Sequence, residues 1–128
     1  MSSIFSRIVA SEIPCHRVWE DERHLAFLDV NPQQPGHTLV IPKTETDYLF
    51  DLDADAHAAL WTAAHTVARH LKTKLACARV CVGVWGYEVP HAHIHLVPTK
   101  TIDDFMPPPA RGGSDQAELA AMAARLAS

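Results

Sequence analysis

The stretch His91-Ala92-His93-Ile94-His95-Leu96-Val97-Pro98 decides how this chain is read. Three histidines alternate with Ala92, Ile94 and Leu96. Successive side chains on a β-strand point to opposite faces, so His91, His93 and His95 share one face and the aliphatic residues point into a core. The alternation predicts a half-buried strand whose open face carries imidazole. Imidazole titrates nearest neutrality of all side chains, which suits proton transfer, nucleophilic attack or metal ligation.

A metal site is the weaker of these chemistries. Same-face neighbours on one strand stand nearly 7 Å apart at their roots, so three rings from a single strand converge poorly on one ion. Neither Glu88 nor Asp103, the nearest acids in sequence, is obviously placed to orient ligand rings. In nucleophilic catalysis a neutral imidazole nitrogen attacks phosphorus and forms a phosphoramidate that water later cleaves. That needs one ring in a fixed tautomer and further donors for the anionic phosphate. His93, with a ring on each side, is the natural nucleophile.

Outward from this stretch, 128 residues make one domain, with apolar residues at 48% and charged residues at 20%, an ordinary globular composition. A net charge of −4 argues against nucleic-acid binding, which favours a basic surface. No apolar run approaches the roughly 20 residues that span a bilayer, and the N-terminus lacks the pattern of a secretory signal. Cys15, Cys77 and Cys81 form an odd, scattered set that fits reduced thiols in a cytoplasm.

Ile4, Phe5 and Ile8 fall on one side of a short N-terminal turn or helix, either a cap on a sheet or the wall of a ligand pocket. Arg17–Glu20 and His24–Val30 read as a hairpin turned by Asp21-Glu22-Arg23. Asp29, before the Pro- and Gly-bearing loop 31–36, is either a turn former or an acceptor for ribose hydroxyls. His37–Lys43 is a third strand, with His37 directly after Gly36. A long helix starts with Asp53 as N-cap and carries Leu60, Ala63, Ala64, Val67, Leu71 and Leu75 as an apolar stripe. His57, His65 and His70 lie mostly off that stripe and read as surface residues. Arg79–Trp85 is a fourth strand, and a last helix from Asp115 to Leu126 is capped by Ser114. Three strands before the long helix and two beyond it predict an α+β domain with an antiparallel sheet.

The triad stretch resembles the signature of the histidine-triad (HIT) family. Ile4-Phe5, Glu12-Ile13-Pro14, Glu20-Asp21-Glu22-Arg23, Ala26-Phe27-Leu28-Asp29 and Pro35-Gly36-His37-Thr38-Leu39-Val40-Ile41-Pro42-Lys43 are similar, in order, to blocks of its Hint-like branch. The resemblance covers about residues 3–99 of a single domain spanning 1–128, leaving 107–128 as a C-terminal extension with its helix. It implies a HIT-like fold that dimerises and binds an AMP-like purine nucleotide. His93 is then the nucleophile that attacks the α-phosphorus and forms a nucleotidyl-histidine, with His37, His91 and His95 in support. Asp29 binds the ribose, and Ile4, Phe5, Ile8, Phe27 and Val30 line the base pocket. Glu88 stands where a hydroxyl residue donates to phosphate in other members. A carboxylate cannot donate when ionised, so the Val89 backbone N–H must serve.

The implied activity is a purine nucleoside phosphoramidase, with a dinucleoside polyphosphate hydrolase or phosphorylase as alternative. A nucleotide-binding module with weak catalysis is the reading from another class. No metal or other cofactor is implied. Bacterial relatives with zinc carry a Cys-x-x-Cys where this chain has Ser3 and Ser6, and a histidine where it has Thr46, so no structural zinc is expected. The loop between Val82 and Gly86 is shorter than usual and lacks the customary asparagine.

Overall fold

A computed structural model describes residues 2–105 and 115–127. The fold is α+β, built on a five-stranded antiparallel sheet. Its strands are β1 (Arg17–Glu20), β2 (His24–Leu28), β3 (Thr38–Pro42), β4 (Arg79–Gly83) and β5 (Ile94–Thr99), in spatial order β1-β2-β3-β5-β4. The hairpin between β1 and β2 closes where the Asp21 carboxylate accepts from the Arg23 and His24 amides. Helix α1 spans Ile4–Val9 and α2 spans Ala54–Leu75, with a 3-10 turn at Leu49–Asp51 between β3 and α2.

Asp53 caps α2 as expected, accepting from the Ala56 amide at 2.8 Å, and Ala76 ends it in the left-handed region at φ 51°. Asp55 in the first turn and Lys72 and Lys74 in the last complement the helix dipole. Leu60, Ala63, Ala64, Val67 and Leu71 form the buried stripe, whereas Leu75, at its end, is 46% exposed. This stripe packs on Ala26, Val40, Ile94 and Leu96, from one face of the sheet. The other face gathers Leu25, Phe27, Leu39 and Ile41 with Phe5 of α1. Both faces of the central strands are therefore covered, and every residue of β3 and β5 is buried.

Strand ends are shorter than the sequence suggests. Asp29, Val30, His37, Lys43, Val84 and Trp85 lie outside the ladders; the Pro- and Gly-bearing loop 31–36 turns the chain away after β2 and before β3, and Gly83 and Gly86 flank the end of β4. Gly36 turns the chain into β3 at φ +90°, and a Cβ there would stand 2.5 Å from Leu75 Cδ1. Helix α3 runs from Gln116 to Leu126 and has no buried residue. Its cap is Asp115, accepting from the Ala117 amide at 2.7 Å, not Ser114, which lies with residues 107–113 of the expected extension outside the described residues. No helix among the described residues is long and apolar enough to cross a membrane.

Leu60 is fully buried between α2 and the sheet. Replacing it with alanine should destabilise the protein by roughly 2–5 kcal/mol, read as a lower urea midpoint at unchanged m-value.

Candidate active site

The triad departs from its simplest strand reading in two ways. The ladder begins at Ile94, because the Ala92 amide donates to the Thr46 carbonyl at 2.6 Å rather than to β3. The expected open face is also closed. His91, His93 and His95 are 0%, 4% and 5% exposed. Helix α1 lies across them, with the Phe5 ring edge-on to His93 at 5.0 Å between centroids and to His91 at 5.9 Å. On the far side the Trp85 indole stacks on His95 at 3.7 Å, with planes 18° apart. Nothing local flags Trp85 in the sequence. The β4–β5 register pairs Gly83 with His95, and Trp85 folds back over Gly83, where a Cβ would stand 2.5 Å from the indole.

Acceptor and donor partners fix the protons. The His91 carbonyl, which can only accept, lies 2.7 Å from His93 Nδ1, so Nδ1 carries the hydrogen. His93 Nε2 then has no protein partner among the described residues. His91 Nε2 likewise donates to the Pro42 carbonyl at 2.7 Å, leaving its Nδ1 to accept from the Ser3 hydroxyl at 2.8 Å. The Gln33 amide donates to His37 Nδ1 at 3.0 Å, so the His37 proton sits on Nε2 and points at His95 Nδ1, also 3.0 Å away. His95 in turn keeps its proton on Nε2, a buried atom with no partner among the described residues. The relay Gln33–His37–His95 ends in an unsatisfied donor, as a site for an anionic oxygen does.

The eight residues expected to contact a nucleotide come together. Ile4, Phe5 and Ile8 from α1, Phe27, Asp29 and Val30 from the end of β2, and Glu88 with Val89 line one cavity of about 290 Å³ that reaches His93 and His95. Val30, at 82% exposed, is its rim. His91 lies behind His93, and His37 opens instead on an adjoining polar hollow shared with Asp29, Glu88 and His95. Leu39, Ile13, Cys15 and His16 also line the main cavity. Sequence reading missed them because only the β2–β3 pairing and the return of the chain past Pro14 bring them there.

Asp29 accepts from the Asn31 amide at 2.8 Å and approaches His37 Nε2 at 3.5 Å. Asp29, His37 and His95 offer ligand atoms within 4.8 Å of one another, a spacing a metal ion could use. The Gln33 amide opposes it, because it places the His37 proton on the nitrogen that an ion would need.

Burial, with the neighbouring His93 and His37, lowers His95 to about 3. Burial also lowers His37 and His91, against the opposing pull of Asp29 on the former, and of the Pro42 carbonyl and Glu45 on the latter. In the unfolded chain the same rings take up protons near pH 6.5. Below that pH the unfolded state binds more protons than the native state, so stability falls as pH falls, down to about 3 for His95. The urea midpoint should be clearly lower at about pH 5 than at about pH 7, a window in which ordinary carboxylates stay mostly ionised.

Residues 10–102 match the HIT domain family model. A HIT-like protein of Azospirillum brasilense, itself uncharacterized, is 41% identical over 102 residues, covering 74% of this chain and 84% of its own. A HIT family hydrolase from Legionella pneumophila superposes with a TM-score of 0.71 at 29% identity, over 84% of this chain and 100% of its own. A zinc-bound histidine triad family protein from Mycobacterium smegmatis does so with a TM-score of 0.74 at 31% identity, over 99% and 96%. With its three alternating histidines, a family model that matches most of its length and a relative 41% identical to it, this chain belongs to the HIT family.

Proposed function

We propose that the protein is a HIT hydrolase or transferase that cleaves at the α-phosphate of a nucleoside phosphoramidate through a nucleotidyl-His93 intermediate. The observation that carries this reading is the pairing of two nitrogens at one cavity. His93 Nε2 has no protein partner among the described residues, and its Nδ1 proton is held by the His91 carbonyl. His95 Nε2 is a buried donor without an acceptor among the described residues. The first is a nucleophile in a fixed tautomer, and the second a donor for a non-bridging phosphate oxygen.

In this reading the apolar cavity takes the base, against Phe5, Phe27 and the aliphatic side chains of α1. Asp29 turns from His37 to the ribose hydroxyls. Attack by His93 Nε2 forms a new P–N bond as the bond to the leaving nitrogen breaks; that nitrogen takes a proton from solvent and departs as the amine, leaving a positive ring whose Nδ1–H is already directed at the His91 carbonyl. Water then cleaves the intermediate, releasing AMP and restoring His93. The Val89 amide donates to no protein group among the described residues and is free to hold phosphate, the role that an ionised Glu88 cannot fill. The Legionella relative, a hydrolase by its description, supports the reaction class. Unpaired Cys15, Cys77 and Cys81 support a cytoplasmic setting.

Mixing the protein with an adenosine phosphoramidate and measuring intact mass after an acid-free quench should reveal an AMP-sized adduct, with AMP released. His93→Ala should carry no adduct and lose on the order of 10³-fold or more in turnover. AMP bound without adduct or turnover would instead make the protein a nucleotide-binding module.

The same family likeness supports a homodimer. Strand β4 is an edge strand with Val82 45% exposed, and it is the surface through which two sheets would join. Sedimentation velocity should give twice the chain mass, and Val82→Lys should shift the species towards monomer.

A further inference from the structure

Behind the triad, on the side of α1 away from the cavity, lies a polar cluster to which the proposed reaction assigns no role. Glu45 Oε1 accepts from the Ser3 amide at 2.6 Å and from the Ser6 hydroxyl at 2.7 Å. Ser3 is buried at 5% exposure, accepts from the Ser6 amide as the N-cap of α1, and donates to His91 Nδ1 at 2.8 Å. Ser6 also stands 3.3 Å from that nitrogen. His91 passes the constraint on, through its carbonyl, to His93 Nδ1. Two hydroxyl protons thus meet two acceptors, one carboxylate oxygen and one imidazole nitrogen, and each is used.

The hydrogen bonds connect segments far apart in the chain, 42 residues between Ser3 and Glu45 and 88 between Ser3 and His91. A six-residue helix does not hold itself on a sheet, since isolated helices this short are unstable in water. The Phe5 ring wedged against His91 and His93 is set by the same helix. The Ser3 amide and the Ser6 hydroxyl hold the Glu45 carboxyl at about 2, so it is an ionised acceptor throughout the working range.

We propose that Glu45, with Ser3 and Ser6, is a metal-free positioning clamp that docks α1 on the triad and holds His91, and through its carbonyl His93, in register for attack. This rests on the phosphoramidase reading for its kinetic consequence, but not for its geometry. None of the three side chains need touch substrate. They act through His91, much as second-shell groups orient metal ligands.

The test compares wild type with Glu45→Ala, Glu45→Gln and Ser6→Ala. One readout, independent of any reaction, is the imidazole nitrogen spectrum by long-range proton–nitrogen NMR. Wild-type His91 should show a proton on Nε2 and a hydrogen-bonded acceptor at Nδ1, unchanged by a strong chelator. In Glu45→Ala and Ser6→Ala the His91 and His93 nitrogens should shift. Glu45→Gln should resemble wild type, because one amide oxygen can take both hydrogen bonds.

With an adenosine phosphoramidate, kcat should fall about tenfold in Glu45→Ala, with KM changed less than about threefold and Glu45→Gln restoring most of the rate. Unshifted His91 and His93 nitrogens in Glu45→Ala would overturn the clamp. So would a wild-type spectrum that moves on chelation, or a Glu45→Gln variant as defective as Glu45→Ala. If wild type proves inactive on the phosphoramidate, the catalytic reading fails and the nitrogen spectra alone decide the clamp.

Discussion

Leu39 and His95 face each other across the β3–β5 ladder, and the site depends on that register. With Leu39 fixed there, His37, two residues earlier and on the same face, reaches His95 Nδ1 at 3.0 Å across a sequence separation of 58. A one-residue slip would turn Ile94 and Leu96 away from α2 and drive imidazoles into the apolar core. The buried stripe of α2 therefore does more than stabilise the sheet, because it sets which face of β5 carries the histidines.

Much of this was legible in the sequence because it is locally periodic. The spacing of Leu60, Ala63, Val67 and Leu71 marks a helix, and the alternation from His91 to Leu96 marks a face, whatever surrounds them. Burial of the imidazoles was not legible. It comes from α1, tied to His91 by Ser3, and from Trp85, folded back over Gly83; neither contact has a signal in local pattern. The same limit explains the shorter triad ladder, where a carbonyl at Thr46 outcompetes the expected strand partner. It explains His57 as well, which lies on the α2 surface but accepts a hydrogen bond from the Trp61 indole at 3.1 Å.

Burying a group of histidines is unfavourable, since three of them must remain neutral where an exposed ring would share a proton with water. Each nitrogen of His37 and His91 has a partner, so the unfavourable desolvation is concentrated on one atom, His95 Nε2. Among the described residues, His95 Nε2 is the one buried side-chain donor left without an acceptor, so the cost of burial falls at the place where a ligand can relieve it. The apolar cavity beside that donor fits the same logic, because a low-dielectric wall strengthens a hydrogen bond to an anion.

The stacking of Trp85 on His95 also makes the protein its own optical probe. The chain has three tryptophans, and among the described residues Trp19 and Trp61 pack with the α2 core while Trp85 lies against the triad. Indole emission responds to the charge and polarity of what it stacks on. An event at His95, such as the arrival of an anion or the uptake of a proton, is thereby written into the fluorescence of a neighbour 3.7 Å away, without any label being attached.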